Sequence, residues 1–349
     1  LKARIWLITF SVVFAFVGVG VGAAAAARKI LLAPKFFAGQ SLRYRIQTRT
    51  STKGTTTTPI KNPEGGSETN LATRLVVRLD VLRVGGPADT ASAATATPVE
   101  IAANDARVRA TYEEALASTE SDAVNPGAPS PSALYKRIEG HSIEFTIGPG
   151  GTLADFQGLD EIFANRSDAE PMLSWARGLS SSAGFPKHGI EVGQKWTNER
   201  QLDGMPLTGL IWRTEATYLR DEPCNSSASD GENAAAPAGH AAAGAQNEMC
   251  AVILTQFQIE RHASARADAT PEDYRKSGLR TSGKWSGSGE SMESISLATG
   301  MLVSSTQTSE QDVDYEIVST NTGSAIHRTG HVTTKTEITL LPAIAAPKS

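Results

Sequence analysis

Cysteine is almost absent, with Cys224 and Cys250 the whole supply in 349 residues. Two thiols so far apart make neither a zinc pair nor a disulfide-dense scaffold. Aromatic residues are scarce at 6%, which limits the chain to a modest core padded by Ala, Gly, Ser and Thr. Positive charge is not in excess either: 33 Lys and Arg face 37 Asp and Glu, a formal charge of -4. A chain without a basic surplus has little with which to neutralise a phosphate backbone, which argues against nucleic acid as a partner. Hydrolase motifs are missing too, with no Gly-x-Ser-x-Gly elbow and no His-Glu-x-x-His. Nothing in the spacing asks for a cofactor or a metal, no catalytic residues are assigned, and the expectation is a protein that is not an enzyme.

The long apolar run is at the start, Ile5 to Val21, preceded by Lys2 and Arg4 and followed by Ala23 to Ala27. Residues 1–27 therefore read as a signal peptide with an Ala-x-Ala end at Ala25 and Ala27, or as an N-terminal membrane anchor. Either reading exports the rest of the chain to a periplasmic or extracellular compartment. In that oxidising setting Cys224 and Cys250 become a disulfide candidate at the base of a loop rich in Ala, Gly, Ser and Asn.

What the chain has in abundance is period-2 alternation. Leu42, Tyr44, Ile46 and Thr48 alternate with polar residues, as do Leu75 to Val81, Ile143 to Ile147, Trp212 to Tyr218, Ile253 to Ile259, Val313 to Ile317 and Val332 to Leu340. Arg107 to Leu116 alternates more loosely, with a helical alternative over Glu113 to Ala117. The polar cluster Thr50 to Thr69 is expected to be a long loop, and Gly148 to Gly151 a hairpin turn. Helical spacing appears at Phe156, Leu159, Ile162 and Phe163, and again from Met172 to Leu179. Gly39-Gln40-x-Leu42 and Gly193-Gln194-x-Trp196 open two runs of strands, each about 110 residues long. The expected fold is mainly β and antiparallel, with two similar β-rich halves, as a curved sheet or half-barrels. Residues 36–156 and 189–342 form the halves, and 157–188 a short helical connector.

Four constellations bear on chemistry. Gly278 to Trp285 has the spacing of a phosphate loop, but Trp285 stands where a magnesium ligand belongs and no helix start follows. His327 and His331 are four apart in what reads as a loop entering a strand, a spacing that carries no metal geometry there. Glu310, Asp312, Asp314 and Glu316 share one strand face, to be balanced by Lys335 or by Arg43, Arg45 and Arg49 across the sheet. Trp196, Trp212, Tyr218, Phe257 and Trp285 either fill the core or line a pocket for an apolar ligand between sheet and connector.

In its Val192-Gly193-Gln194-Lys195-Trp196 opening after a helical connector, the chain resembles a group of uncharacterised exported bacterial β-rich proteins. A looser architectural likeness is to the periplasmic lipoprotein-carrier half-barrel. That likeness implies an antiparallel sheet wrapped around helices and a lipid-like ligand. The expected role is a non-enzymatic cell-envelope protein with an apolar ligand or an envelope partner, the alternative being an interaction module working through its long polar loops.

Overall fold

The computed structural model describes residues 29–57, 66–85, 105–122, 130–148, 153–162, 175–176, 184–186, 188–202, 205–224, 248–262 and 270–342. The N-terminal apolar run, the polar insertion after Val84, most of the second connector helix and the loop between the cysteines lie outside these residues. Among the described residues no helix is long and apolar enough to cross a membrane.

One sheet dominates. Its strands are β1 (Ser41–Thr57), β2 (Ser67–Val84), β3 (Ala106–Ser121), β4 (Ser142–Ile147), β5 (Leu153–Gln157), β6 (Lys195–Gln201), β7 (Leu210–Pro223), β8 (Met249–Arg261), β9 (Leu279–Ser296), β10 (Leu302–Ser319) and β11 (Ala325–Leu341). They lie in the order β5-β4-β3-β2-β1-β11-β10-β9-β8-β7-β6, antiparallel throughout and not closed into a barrel. The chain starts at the middle, meanders to one edge, crosses over, and meanders back from the other edge. The two halves thus share one sheet, joined where β1 runs antiparallel to β11, from Arg43 opposite Leu341 to Thr57 opposite His327.

The two openings share one local structure. Gly39 and Gly193 have φ of 80° and 85°, a region glycine enters without cost. Gln40 and Gln194 each place a side-chain oxygen on the backbone N–H three residues back, at 3.2 and 3.1 Å. Gly39 then donates to Val81 in β2 as Gly193 donates to Tyr218 in β7, at 2.8 and 2.6 Å. β1 and β6 are therefore counterparts, yet β1 lies at the centre of the sheet and β6 at its edge.

Alternation decides the faces. Tyr44 and Ile46 of β1, Leu75, Val77 and Leu79 of β2, Val108 and Tyr112 of β3, Phe145 of β4, Tyr218 of β7, Ile253 of β8 and Ile338 of β11 pack into one cluster with Leu32, Trp175 and Ile190. Removing such side chains from water is the main stabilising term, about 1.5 to 3 kcal/mol for each large one. The cluster fills one end of the strands, where the N-terminal segment and the connector lie against the inner face and Ile30 bridges Ile190. A satellite core of Leu207, Leu210 and Tyr315 closes the other end. The opposite, polar face carries cross-strand ion pairs such as Arg43–Glu113 and Arg109–Glu144.

Several expectations change. The threonine cluster expected as a loop is strand as far as Thr57, because β-branched threonines fit a pleated surface and pair across it, Thr48 with Thr336 and Thr55 with Thr329. Phe156 belongs to a strand, where its ring meets Phe145 at 5.4 Å. Only α2 (Leu159–Ile162) keeps helical form there. Helix α1 (Pro131–Ile138) was not expected, although Ser130 caps it by accepting from the Ala133 N–H and Pro131 sits in its first turn. A short α3 (Glu272–Lys276) precedes β9. The Arg107 to Leu116 ambiguity resolves as strand, with an irregularity opposite Val76 and Val77.

Candidate binding groove

One residue row crosses most of the sheet: Thr197, Glu215, Gln256, Glu290, Thr308, Lys335, Arg49, Ala72 and Ser118 stand opposite one another in successive strands from β6 to β3. All nine line a single open groove of about 1050 Å³. Laid flat, nine strands would span about 40 Å. A cavity touching all of them requires the sheet to curl so that this row lines the hollow. Arg49 alternates with Thr48 and Thr50, which continue the face of Tyr44 and Ile46, so the groove opens on the polar face, away from the apolar core. A shallower hollow of about 390 Å³ adjoins it, lined by Gln47, Arg74 and the half-exposed Leu116 among others.

The charges in the groove are of two kinds, paired and unpaired. Opposite signs are paired beside the groove, Arg74 with Glu114, and also within its β7 side, Arg213 with both Glu199 and Glu260 and Glu215 with Lys195. In the groove Arg49 stands directly opposite Lys335, two cations side by side. Glu290 and Glu310 are diagonal neighbours on β9 and β10, two anions side by side. Like charges placed this way cost about 0.2 to 1 kcal/mol. Lys335 is relieved by Glu337 at 2.7 Å, whereas Arg49, Glu290 and Glu310 have no ion-pair partner among the described residues. Ser51, Asn70, Thr308, Thr333, Gln256 and Gln258 fill the floor between with neutral donors and acceptors.

The aromatic candidates lie elsewhere, apart from Phe257, which borders the groove. Trp212 stacks on Phe257 at 4.1 Å, and Arg200 lies over the Trp212 ring at 5.2 Å. Trp285 stacks on Tyr315 at 5.8 Å within the satellite core, and its Nε1 donates to Gln311 at 3.0 Å. Trp196 donates to the Gly184 carbonyl at 2.8 Å. Tyr218 is fully buried and donates its hydroxyl to Asp221; burial first, then that carboxylate, pushes its pKa up.

Cys224 and Cys250 form the disulfide, at the end of β7 and the start of β8. Gly283, Lys284 and Trp285 lie inside β9, so the phosphate-loop spacing has no cradle. Glycines 283, 287 and 289 mark close approach: a Cβ on Gly289 would lie 2.2 Å from the Thr308 carbonyl oxygen and 2.4 Å from the Phe257 ring. The two histidines expected in a loop are in β11, and each meets an aspartate of β10, His327 with Asp314 at 2.7 Å and His331 with Asp312 at 2.8 Å. Two of the four acidic residues of the row, Asp312 and Asp314, are thus hydrogen-bonded to histidine. Arg43, Arg45 and Arg49 cannot reach the row, because β11 lies between β1 and β10. No group of three or more metal-ligating side chains occurs among the described residues. The groove itself was invisible in the sequence because its residues come from nine strands; the register that assembles them is a product of the fold.

Fold and site together define an open, all-antiparallel β protein with a polar, charged trough. No known protein family matches the chain, and no curated protein does. Among solved structures it is similar to lipovitellin, described for its lipid-protein interactions, at 11% identity with a TM-score of 0.45. The match covers 90% of this chain and 27% of that one. A likeness that loose defines neither a shared family nor a shared ligand.

Proposed function

We propose that this is a non-enzymatic binding protein of the exported cell envelope, and that its ligand is an elongated polar molecule with an anionic and a cationic end, lying across the trough. The observation that carries this reading is the order of charge along the middle of the groove: Arg49 and Lys335 on β1 and β11, then Glu310 and Glu290 on β10 and β9. Lys335 already has Glu337, and Glu310 has Lys335 as a diagonal neighbour, so Arg49 and Glu290 are the charges left for a ligand to meet. Arg49 and Glu290 are three strand spacings apart along their row, about 14 Å on a flat sheet and less across a curled one. An extended peptide of about four residues with free termini has that reach and that polarity. The formed disulfide supports the exported location, since such bonds persist in oxidising compartments.

The test is calorimetry with tetra-alanine as probe, free and with both termini capped. The reading expects binding of the free peptide, loss on capping, and loss on Arg49→Glu. Equal binding of both forms, or of neither, overturns it. A second reading, an apolar or lipid-like ligand on the inner face, is favoured by the alignment of Trp196, Trp212, Phe257 and Trp285 on that side. Copurified lipid seen by native mass spectrometry, lost in Trp212→Ala and kept in Arg49→Glu, would select it instead.

A further inference from the structure

We propose that β6 is a self-association edge, along which two copies of this chain pair antiparallel about Thr197 and join their sheets into one. The inference starts from the repeat. β1 and β6 begin with the same glycine-glutamine turn and pair with their following strands in the same way. On its other side β1 is covered by β11 over the length of the strand. Among the described residues β6 has no strand on that side.

The hydrogen-bonding direction along β6 is fixed by its partner. Gln194 accepts from Tyr218 and Leu202 donates to Leu210, so even-numbered residues turn their backbone groups toward β7. In an antiparallel ladder odd-numbered residues then turn theirs away. Lys195, Thr197 and Glu199 are exposed and present this outward edge. Asn198 Oδ1 accepts from the Glu199 N–H at 2.8 Å, a local cap on one outward donor that pairing would displace.

A two-fold pairing of this edge must set odd-numbered residues opposite odd-numbered ones, and charge selects among the registers that do so. Centred on Glu199, the pairing sets Glu199 against itself. Centred on Thr197, it sets Lys195 of each copy opposite Glu199 of the other and Trp196 opposite Asn198. Lys195 is already bonded to Glu215 at 2.8 Å and Glu199 to Arg213 at 3.2 Å. The joined sheets would therefore carry an unbroken row of alternating charge, Glu215, Lys195, Glu199 and Arg213, across the seam. The opposite edge is less suited: β5 has five residues, a register irregularity against β4, and Asp155 at φ 53°. The two-fold axis stands perpendicular to the sheet, so both troughs open on the same side.

Native mass spectrometry of the full chain from a mild detergent reads the assembly. The expected species is a dimer. Thr197→Pro removes an outward N–H that no bond among the described residues uses, and should yield monomer with the strand signal in circular dichroism retained. Should that variant misfold, charge reversal decides: Lys195→Glu weakens the dimer about tenfold or more, and adding Glu199→Lys in the same chain restores it. A monomeric wild type, a dimer that survives Thr197→Pro, or a double reversal no better than the single one overturns the proposal.

Discussion

Single side chains in this molecule show how position gives an ordinary residue an unusual cost. Tyr44 is fully buried and donates its hydroxyl to the Leu302 carbonyl at 3.0 Å. Burial pushes its pKa above the ordinary 10.0, as it does for Tyr112. The native state thus keeps phenol protons that the unfolded chain gives up. Their contribution to stability is intact below about pH 10 and is lost as pH rises further. Tyr44→Phe should cost about 1 to 3 kcal/mol at neutral pH, by orphaning a buried acceptor, while making the alkaline loss shallower; denaturant titrations on both sides of pH 10 measure the difference. Gly289→Ala drives a methyl into the Thr308 backbone and the Phe257 ring, and should lower stability by about 1 to 3 kcal/mol or more. Arg49→Gln should do the reverse, raising stability by a few tenths of a kcal/mol as it relieves Lys335, while weakening any anion held in the groove.

At the scale of the element, alternation announced most of the strands, and with them the core, because a half-buried strand must repeat every second residue. It failed where both faces of a strand are polar. Thr50 to Thr57 has no apolar period, and only its pairing with β11 makes it a strand. Phe156 failed for the opposite reason: with Leu159 and Ile162 it satisfies helical spacing, but β4 offers its edge to the first of them. The aromatic candidates were legible as inward-facing residues, whereas the charged row was not legible as a site. The β7–β8 hairpin was readable from its cysteines. Cys224 donates one backbone bond to Glu248, and the disulfide, at a sequence separation of 26, should hold those strand ends. Cys250→Ser paired with Cys224→Ser should cost about 3 to 4 kcal/mol in a denaturant melt, with hydrogen exchange rising first at Glu222 and Met249.

Across the whole molecule, the β1–β11 junction decides whether the two halves act as one body. Val77 and Tyr112 of the first half and Tyr218 and Ile253 of the second lie in one apolar cluster, and the ladder runs unbroken from β5 to β6. A cooperative unit of this kind transmits local damage everywhere. The chain supplies its own reporters once Trp175, which meets Tyr112 of the first half, is replaced by Phe, because Trp196, Trp212 and Trp285 belong to the second half and the only other tryptophan is Trp6. Phe145→Ala, at a fully buried side chain in β4 of the first half, should cost about 3 to 5 kcal/mol. If the sheet is one unit, tryptophan fluorescence must report that loss in full, with the same midpoint as far-ultraviolet circular dichroism. A fluorescence midpoint left at its wild-type value would mean that the halves unfold separately and that the central pairing adds little coupling.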